Sequence, residues 1–379
     1  MVIYAGLHQP GTFTARLLSL PVMVFLGGIS YSLYLWHWPP VALMHYQLIE
    51  LTWLNRLLLI AGVVVLSWLS FRFVENRYRH REWSFKKSFL IFILAPLIGI
   101  WAIQSTIRIA DDISFRIPEE RRELYKIIAN NNPADLYKRC FKGDPVDFNR
   151  SDACLFGAEP KNGQPNSMLI GDSHAIAQIG FLEQLLKGTD YSVLMVTRAS
   201  TPFLPPAIAE KAQAADPTKV ARNRAISDTL SQRPMTVFIG AWWSAYLKHD
   251  AYQAYFVDTI GWLKDQGHTV IVLEDVPELP SSSYAECLLK NMEDCSISAA
   301  DVEESLSNFY QYKQAAQQRY PDVQWINPRK VLCDDERCQT VLNGIPLYRD
   351  ESHLNNVGGI EIGKEYLKRF GNPLPDALH

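Results

Sequence analysis

Met168-Leu169-Ile170-Gly171-Asp172-Ser173-His174 is the stretch from which the rest of the chain can be read. A short apolar run of strand type meets a glycine, then a serine, then a stretch of helical character from Ala175 to Lys187. A serine at such a strand-to-helix turn has its hydroxyl exposed, and the first amides of the helix point at whatever bonds to it. Far downstream, Asp350-Glu351-Ser352-His353 sets an aspartate ahead of a histidine, just before a last helical segment. A base and its orienting acid can both come from that loop. Ser173 as nucleophile, His353 as base and Asp350 as orienting acid point to acyl transfer or ester hydrolysis. For a lone Gly-Asp-Ser the alternative is a serine that only caps a helix. Asp172 and His174 leave the turn in other directions and are expected to give support at most.

From Ser167 onward, strand-like runs alternate with helical patterns. The strand candidates are Met168–Ile170, Ser192–Val196, Thr236–Ile239, Thr269–Leu273 and Val323–Ile326. Helices are expected over Ala175–Lys187, Tyr252–Gln266, Val302–Arg319 and Gly358–Phe370. The alternation implies an α/β domain, residues 166–375, with a parallel sheet flanked by helices. Sites in such folds lie beyond the carboxyl ends of the strands, where Ser173 and Trp242 fall.

The chain has 379 residues, room for about two domains at roughly 150 residues each. A net charge of −3 does not advertise a nucleic-acid partner. Six cysteines fall in close couples: Cys140 with Cys154, Cys287 with Cys295, Cys333 with Cys338. An even count at short separations suggests disulfides and an oxidising compartment. Metal binding is the rival, weakened because no couple has C-x-x-C spacing and no histidine stands at ligand spacing. Free buried thiols are the other alternative. No metal or nucleotide motif is seen, and Gly27-Gly28 is no phosphate loop.

Residues 1–110 are dominated by apolar runs. Three, roughly Leu20–His45, Leu54–Val74 and Ser88–Ile109, are long enough to span a bilayer, which takes about 20 apolar residues. None has the form of a cleavable signal peptide. The segment Asn76 to Lys87 is crowded with Arg and Lys, whereas His45 to Trp53 has neither. By the positive-inside rule the basic loop is cytoplasmic, and everything after Ala110 is extracytoplasmic. Residues 111–165 read as a linker and extension tied by Cys140 and Cys154, with a helix-prone stretch from Pro118 to Ala129. The first span carries Trp36-His37-Trp38-Pro39 in an aromatic cluster. An interfacial belt would explain the aromatics. His37 is less easily explained, because intramembrane ionisable groups usually face a protein interior or water.

The run Ser30 to Pro40, followed by Phe71-Arg72-Phe73-Val74-Glu75-Asn76-Arg77, resembles the end of the acyltransferase family 3 membrane domain. The subgroup it resembles carries a C-terminal periplasmic SGNH domain joined through one extra span. That family's membrane domain has more spans than occur here, so the chain is expected to be a C-terminal part, and a missing N-terminal membrane portion is a candidate partner.

The resemblance implies several expectations. One is O-acyl transfer, acetyl in particular, to hydroxyls of a bacterial cell-surface polysaccharide such as lipopolysaccharide O-antigen, through an acyl-serine. Others are a multi-pass place in the bacterial inner membrane and acetyl-CoA as acyl donor on the cytoplasmic side. Rival expectations are a membrane-tethered carbohydrate esterase and an inactive, glycan-binding remnant. The Asp-x-x-His that SGNH hydrolases show downstream moves Ser173 from helix cap to nucleophile. SGNH enzymes also supply oxyanion donors from Gly and from Asn in a Gly-x-Asn run. Here Gly240 fits, and Trp242 stands where the Asn would be, as an indole donor, a sugar-stacking wall or core. Ser200 or Thr201, after the second strand, is a further donor candidate.

Overall fold

Runs of aliphatic and β-branched residues bounded by turns become the strands of the second half of the chain. The structure, a computed structural model, describes residues 13–49, 51–79, 83–109, 119–129, 140, 154–290, 292 and 294–375. It divides into one unit over Met1–Arg116 and another over Ile117–His379. Most of the expected linker over 111–165, and residues 80–82 of the basic loop, lie outside the described residues.

In the second unit the strands are β1 (Leu155–Gly157), β2 (Ser167–Gly171), β3 (Ser192–Thr197), β4 (Thr236–Gly240), β5 (Thr269–Leu273), β6 (Ile297–Ser298) and β7 (Gln324–Ile326). The main sheet has the order β1-β3-β2-β4-β5-β7, and β6 pairs instead with Arg337–Cys338. All residues of β2, β3 and β4 are buried, as expected for strands covered on both faces. The pairs from β3 across to β7 are parallel.

The sheet is nevertheless mixed, which corrects the expectation of a purely parallel one. β1 runs antiparallel to β3 at the edge. It has three residues, too few to leave a periodic signal in sequence, and an added antiparallel edge is common on such sheets.

Chain order reverses between β2 and β4. The connection from β2 runs outward to β3, and that from β4 runs the other way to β5. The crevice at the carboxyl ends of β2 and β4 is therefore the topological switch point, where ligands bind in open α/β sheets.

The helix expected over Ala175–Lys187 starts earlier and is broken. Asp172 caps it by accepting the His174 amide at 2.8 Å, and Ser173–Ala177 is followed by Ile179–Leu186. At the break, the Gln178 side chain donates to the Glu274 carbonyl at 3.0 Å. The helix expected over Val302–Arg319 likewise divides at Leu306. Ile179–Leu186 packs against the last helix, Asn356–Phe370, closely enough that a Cβ on Gly363 would sit 2.7 Å from Gln184 Cβ. These two helices follow Ser173 and His353 in the chain. Their packing draws together two loops that are distant in sequence.

Cys140–Cys154, Cys287–Cys295 and Cys333–Cys338 are disulfides, and no cysteine is free among the described residues.

In the first unit, two helices are long and apolar enough to cross a membrane by length and composition, Trp53–Tyr78 and Phe85–Arg108. The helix Pro21–Tyr46 is as long, but Ser30, Tyr31, Ser32, Tyr34, His37 and two prolines dilute its apolar character, so two such helices stand where three were expected. It continues through Pro39 and Pro40. Ser32, buried on it, donates to Glu75 at 3.2 Å. Trp36, His37, Trp38 and Pro39 are all exposed, and His37 Nδ1 lies against the Tyr34 carbonyl of its own helix.

Gly171 decides whether β2 and β4 can end side by side. Its φ is +143°, and a Cβ there would lie 1.7 Å from the Gly240 carbonyl oxygen. Gly171→Ala is expected to cost about 3 kcal/mol or more. Chemical denaturation of the parent and variant, read as the midpoint shift, checks this; an unshifted midpoint would contradict the register described.

Candidate active site

Ser173 is the first residue of its helix, directly after the Gly171 turn, and is half-buried. Its Oγ lies 2.8 Å from His353 Nε2. On the far side of the ring, His353 Nδ1 lies 2.9 Å from Asp350 Oδ1 and 3.0 Å from Oδ2. Asp350 Oδ1 also accepts the backbone amides of Ser352 at 3.0 Å and His353 at 2.8 Å. Partial burial works against the Asp350 carboxylate, yet its bonds to His353 and those amides prevail and hold its pKa well below the ordinary value. The short Asp-x-x-His loop is tied at its base, where Arg349 N–H donates to the His353 carbonyl and Asn355 caps the last helix. Three side chains from two distant loops thus form one continuous hydrogen-bonded chain, with geometry suited to a nucleophile, its base and an orienting acid.

Asp172 and His174 turn away from that chain but build its walls. The Asp172 carboxylate is 1% exposed and accepts two amides, His174 N–H at 2.8 Å and Trp242 N–H at 3.1 Å. The Tyr246 hydroxyl reaches the same group. Burial raises the Asp172 pKa, and these bonds oppose the rise. The His174 ring stacks on the Trp242 indole, 4.8 Å between centroids and 11° from parallel, and lies 4.3 Å from the His353 ring, tilted 55° to it. His174 Nε2 lies 3.3 Å from Ser352 Oγ. Burial above all, with the neighbouring His353 second, lowers the His174 pKa well below the ordinary value, so its ring is neutral near pH 7.

Both N–H groups of Trp242 are already used. The backbone amide bonds to Asp172, and the indole Nε1 donates to Glu278 Oε1 at 2.7 Å. The structure therefore does not offer Trp242 as an oxyanion donor and makes it part of the wall. Gly240 ends β4 and is buried under the first turn of the Ser173 helix, where a Cβ would lie 3.2 Å from Ala175. Its place is explained by close packing.

Ser200 is exposed, and Thr201 is buried with its hydroxyl donating to the Ala199 carbonyl. Neither is bonded to Ser173 or His353. Their loop does abut the turn, since Arg198 N–H donates to the Gly171 carbonyl at 3.1 Å. The amide best sited for an oxyanion is that of Ser173 itself, in the first helical turn where backbone N–H groups lack an intrahelical acceptor.

The sequence reading missed the loop after β5. Asp275 accepts Trp243 N–H at 3.1 Å and Ser244 N–H at 2.6 Å. Full burial pushes its pKa up to about 7 against the pull of those amides and Arg329. Glu274, beside it, pairs with Arg329 at 2.9 Å and Lys313 at 2.7 Å. Glu278 takes the Trp242 indole and, at 2.6 Å, the Ser244 hydroxyl. Leu279 N–H donates to the Glu351 carbonyl at 2.7 Å and so joins this loop to the one bearing His353. The signal was legible: three acids within five residues of an apolar strand end, the place where sites form in this architecture.

Among the described residues, no cluster of His, Cys, Asp and Glu is arranged to hold a metal ion.

A family model described as "SGNH domain (fused to AT3 domains)" matches residues 139–368. The chain belongs to that family. An open reading frame of Staphylococcus aureus (strain COL), provisionally named an O-acetyltransferase, is 33% identical over 81 residues, 21% of this chain and 13% of the relative. Peptidoglycan O-acetyltransferase OatA of Listeria monocytogenes serovar 1/2a is 29% identical over 110 residues, 27% of this chain and 17% of OatA. The matched stretches thus span less than a fifth of those relatives. The periplasmic domain of the lipopolysaccharide acetyltransferase of Salmonella ser. Paratyphi A aligns with a TM-score of 0.46 at 18% identity, over 62% of this chain and 96% of that one.

The lowered pKa of His174 has a consequence for stability. Between its folded value and about 6.5, the unfolded chain binds more protons than the folded one, so stability falls as pH drops through that window. Asp275, raised to about 7, has the opposite sign: between about 4 and that value, its contribution falls as pH rises. Comparing the parent with His174→Gln isolates the histidine. The variant should lose less stability than the parent between neutral and mildly acidic pH in urea denaturation. Parallel profiles would show that His174 titrates normally.

Proposed function

We propose that the second unit is an O-acetyltransferase module that passes an acetyl group through Ser173 to a hydroxyl of a bacterial cell-surface polysaccharide. The observation that carries this reading is the continuous bond from Ser173 Oγ to His353 Nε2, and from His353 Nδ1 to Asp350. Family membership and relatives named as O-acetyltransferases support it.

In the first half-reaction, Ser173 Oγ attacks the carbonyl carbon of an acetyl donor while His353 Nε2 takes the hydroxyl proton. Asp350 holds the ring by Nδ1–H and stabilises the positive charge that develops on it. The tetrahedral oxyanion is bound by the Ser173 amide, assisted by the positive end of its helix. Collapse breaks the bond to the leaving group, which receives the proton from His353, and acetyl-Ser173 remains. In the second half, an acceptor hydroxyl loses its proton to His353 and attacks the ester. Collapse then returns the proton to Ser173 and releases the O-acetyl sugar. Water in place of the sugar makes the same site a tethered carbohydrate esterase. Ser173 is only half-buried, which leaves solvent an approach to it.

The setting is also a proposal. The first unit would lie in the bacterial inner membrane, with Pro21–Tyr46 as a third span beside the two more apolar helices and the second unit on the periplasmic side. The three disulfides fit an oxidising compartment. The acetyl group would come from acetyl-CoA through a membrane-embedded acyltransferase family 3 partner, and lipopolysaccharide O-antigen is one candidate acceptor.

Ser173→Ala and His353→Ala should each reduce hydrolysis of p-nitrophenyl acetate by the purified chain about 10³-fold or more. Mass spectrometry of the quenched parent should find one acetyl on the Ser173 peptide, and none in Ser173→Ala. Parent-like rates in either variant, or acetylation confined to another residue, would refute the acyl-serine.

A further inference from the structure

Trp242 and Glu278 take no part in the hydrogen-bonded chain of Ser173, His353 and Asp350, yet they lie beside it. One face of the indole is covered by His174, the residue after Ser173, at 4.8 Å. Trp242 is only half-buried, and no second ring stacks on it among the described residues. Its N–H is locked on Glu278 Oε1 at 2.7 Å, an oxygen that also takes the Ser244 hydroxyl at 2.6 Å. The other carboxylate oxygen, Oε2, accepts no hydrogen bond from any described residue, and no Lys or Arg pairs with Glu278 among them.

A half-buried carboxylate with one oxygen saturated by neutral donors and the other open is a directed hydrogen-bond acceptor. Holding the indole alone would need only a neutral acceptor, without the desolvation cost of a charge. A half-buried indole next to a carboxylate oxygen that accepts nothing suits a ring that is apolar on its C–H face and rich in hydroxyl donors at its edge. The negative charge disfavours an acidic ring.

We propose that Trp242 and Glu278 form the acceptor subsite, binding a neutral sugar ring stacked on the indole with a hydroxyl donating to Glu278 Oε2. This deepens the acetyl-transfer reading above and rests on it for its role in turnover.

Binding can be read without turnover. Saturation-transfer NMR on the full-length Ser173→Ala chain in detergent micelles, with methyl glucoside and methyl glucuronoside as probes, should give signal from the neutral sugar and little from the acidic one. Adding Trp242→Ala should abolish the signal. Adding Glu278→Gln, which keeps an oxygen for the indole N–H, should bring the two sugars to similar signal. Equal signals from both sugars before any change to the subsite, no signal from either, or undiminished signal in the Trp242 variant would each overturn the subsite.

In turnover, Trp242→Ala should lower kcat/KM for O-acetylated methyl glucoside about tenfold or more relative to p-nitrophenyl acetate. Equal losses on both esters would mean that Trp242 only supports the fold, and would overturn the proposal. Failure of the acyl-serine reading has a different signature, hydrolysis of p-nitrophenyl acetate that Ser173→Ala leaves unchanged.

Discussion

The site depends on a buried carboxylate that bonds to two strand ends at once. Asp172 follows β2, and Trp242 lies just beyond the end of β4, on opposite sides of the crevice where the sheet's connections diverge. By accepting the amides of both His174 and Trp242, one side chain starts the helix that presents Ser173 and pins the aromatic wall beside it. Hydrogen bonds to a charged group are each worth about 1.5–3 kcal/mol, whereas a buried carboxylate without them is costly. The glycine before it makes this possible. Gly171 takes a backbone conformation and a closeness to Gly240 that a side chain would forbid. Turn, cap and Ser173 are a single construction.

A second tie runs through the loop after β5. Asp275 holds the amides of Trp243 and Ser244, Glu278 holds the Trp242 indole, and Leu279 bonds across to Glu351 in the loop that carries His353. Behind it, the Arg329–Glu274 pair is almost fully buried, with side chains 4% and 1% exposed, and Arg329 also bonds to the Asp275 carbonyl. Removing one partner of such a pair typically costs about 3–5 kcal/mol, because the other charge is left unpaired. His353, the aromatic wall and the Ser173 turn therefore share one polar framework. A disturbance in the loop after β5 reaches His353 through the Leu279–Glu351 hydrogen bond and the short loop from Asp350 to His353.

Much of the fold was legible because it rests on local chemistry. Strands β2 to β5 are apolar runs buried on both faces, and their limits agreed to within a residue or so with the candidates. The breaks at Gln178 and Leu306 and the short antiparallel β1 were not legible. A helix interruption anchored by a carbonyl nearly a hundred residues away, as Gln178 is by Glu274, leaves no periodic trace. The reading of Trp242 as an indole donor failed for a related reason. Its competing acceptor, Glu278, arrives from another strand's loop, 36 residues on. The three acids after β5 stand in the sequence at an apolar strand end, but what they bond to does not; only the sheet gives the ends of β4 and β5 a common neighbourhood.

What the amino-acid sequence indicated by itself was the alternation of strand and helix, Ser173, His353 and Asp350 as residues for the fold to bring together, and three cysteine couples close enough in sequence to pair. The strands, helices and couples follow from patterns within short windows, whereas the choice of the three polar residues also rested on the resemblance to SGNH hydrolases. What only the tertiary structure decided was which polar groups are already spent: Asp172 on two amides, Trp242 on Glu278, Thr201 on its own turn. A hydrogen-bond donor can be counted in a sequence, but whether it is free depends on the acceptors that folding brings within about 3 Å of it.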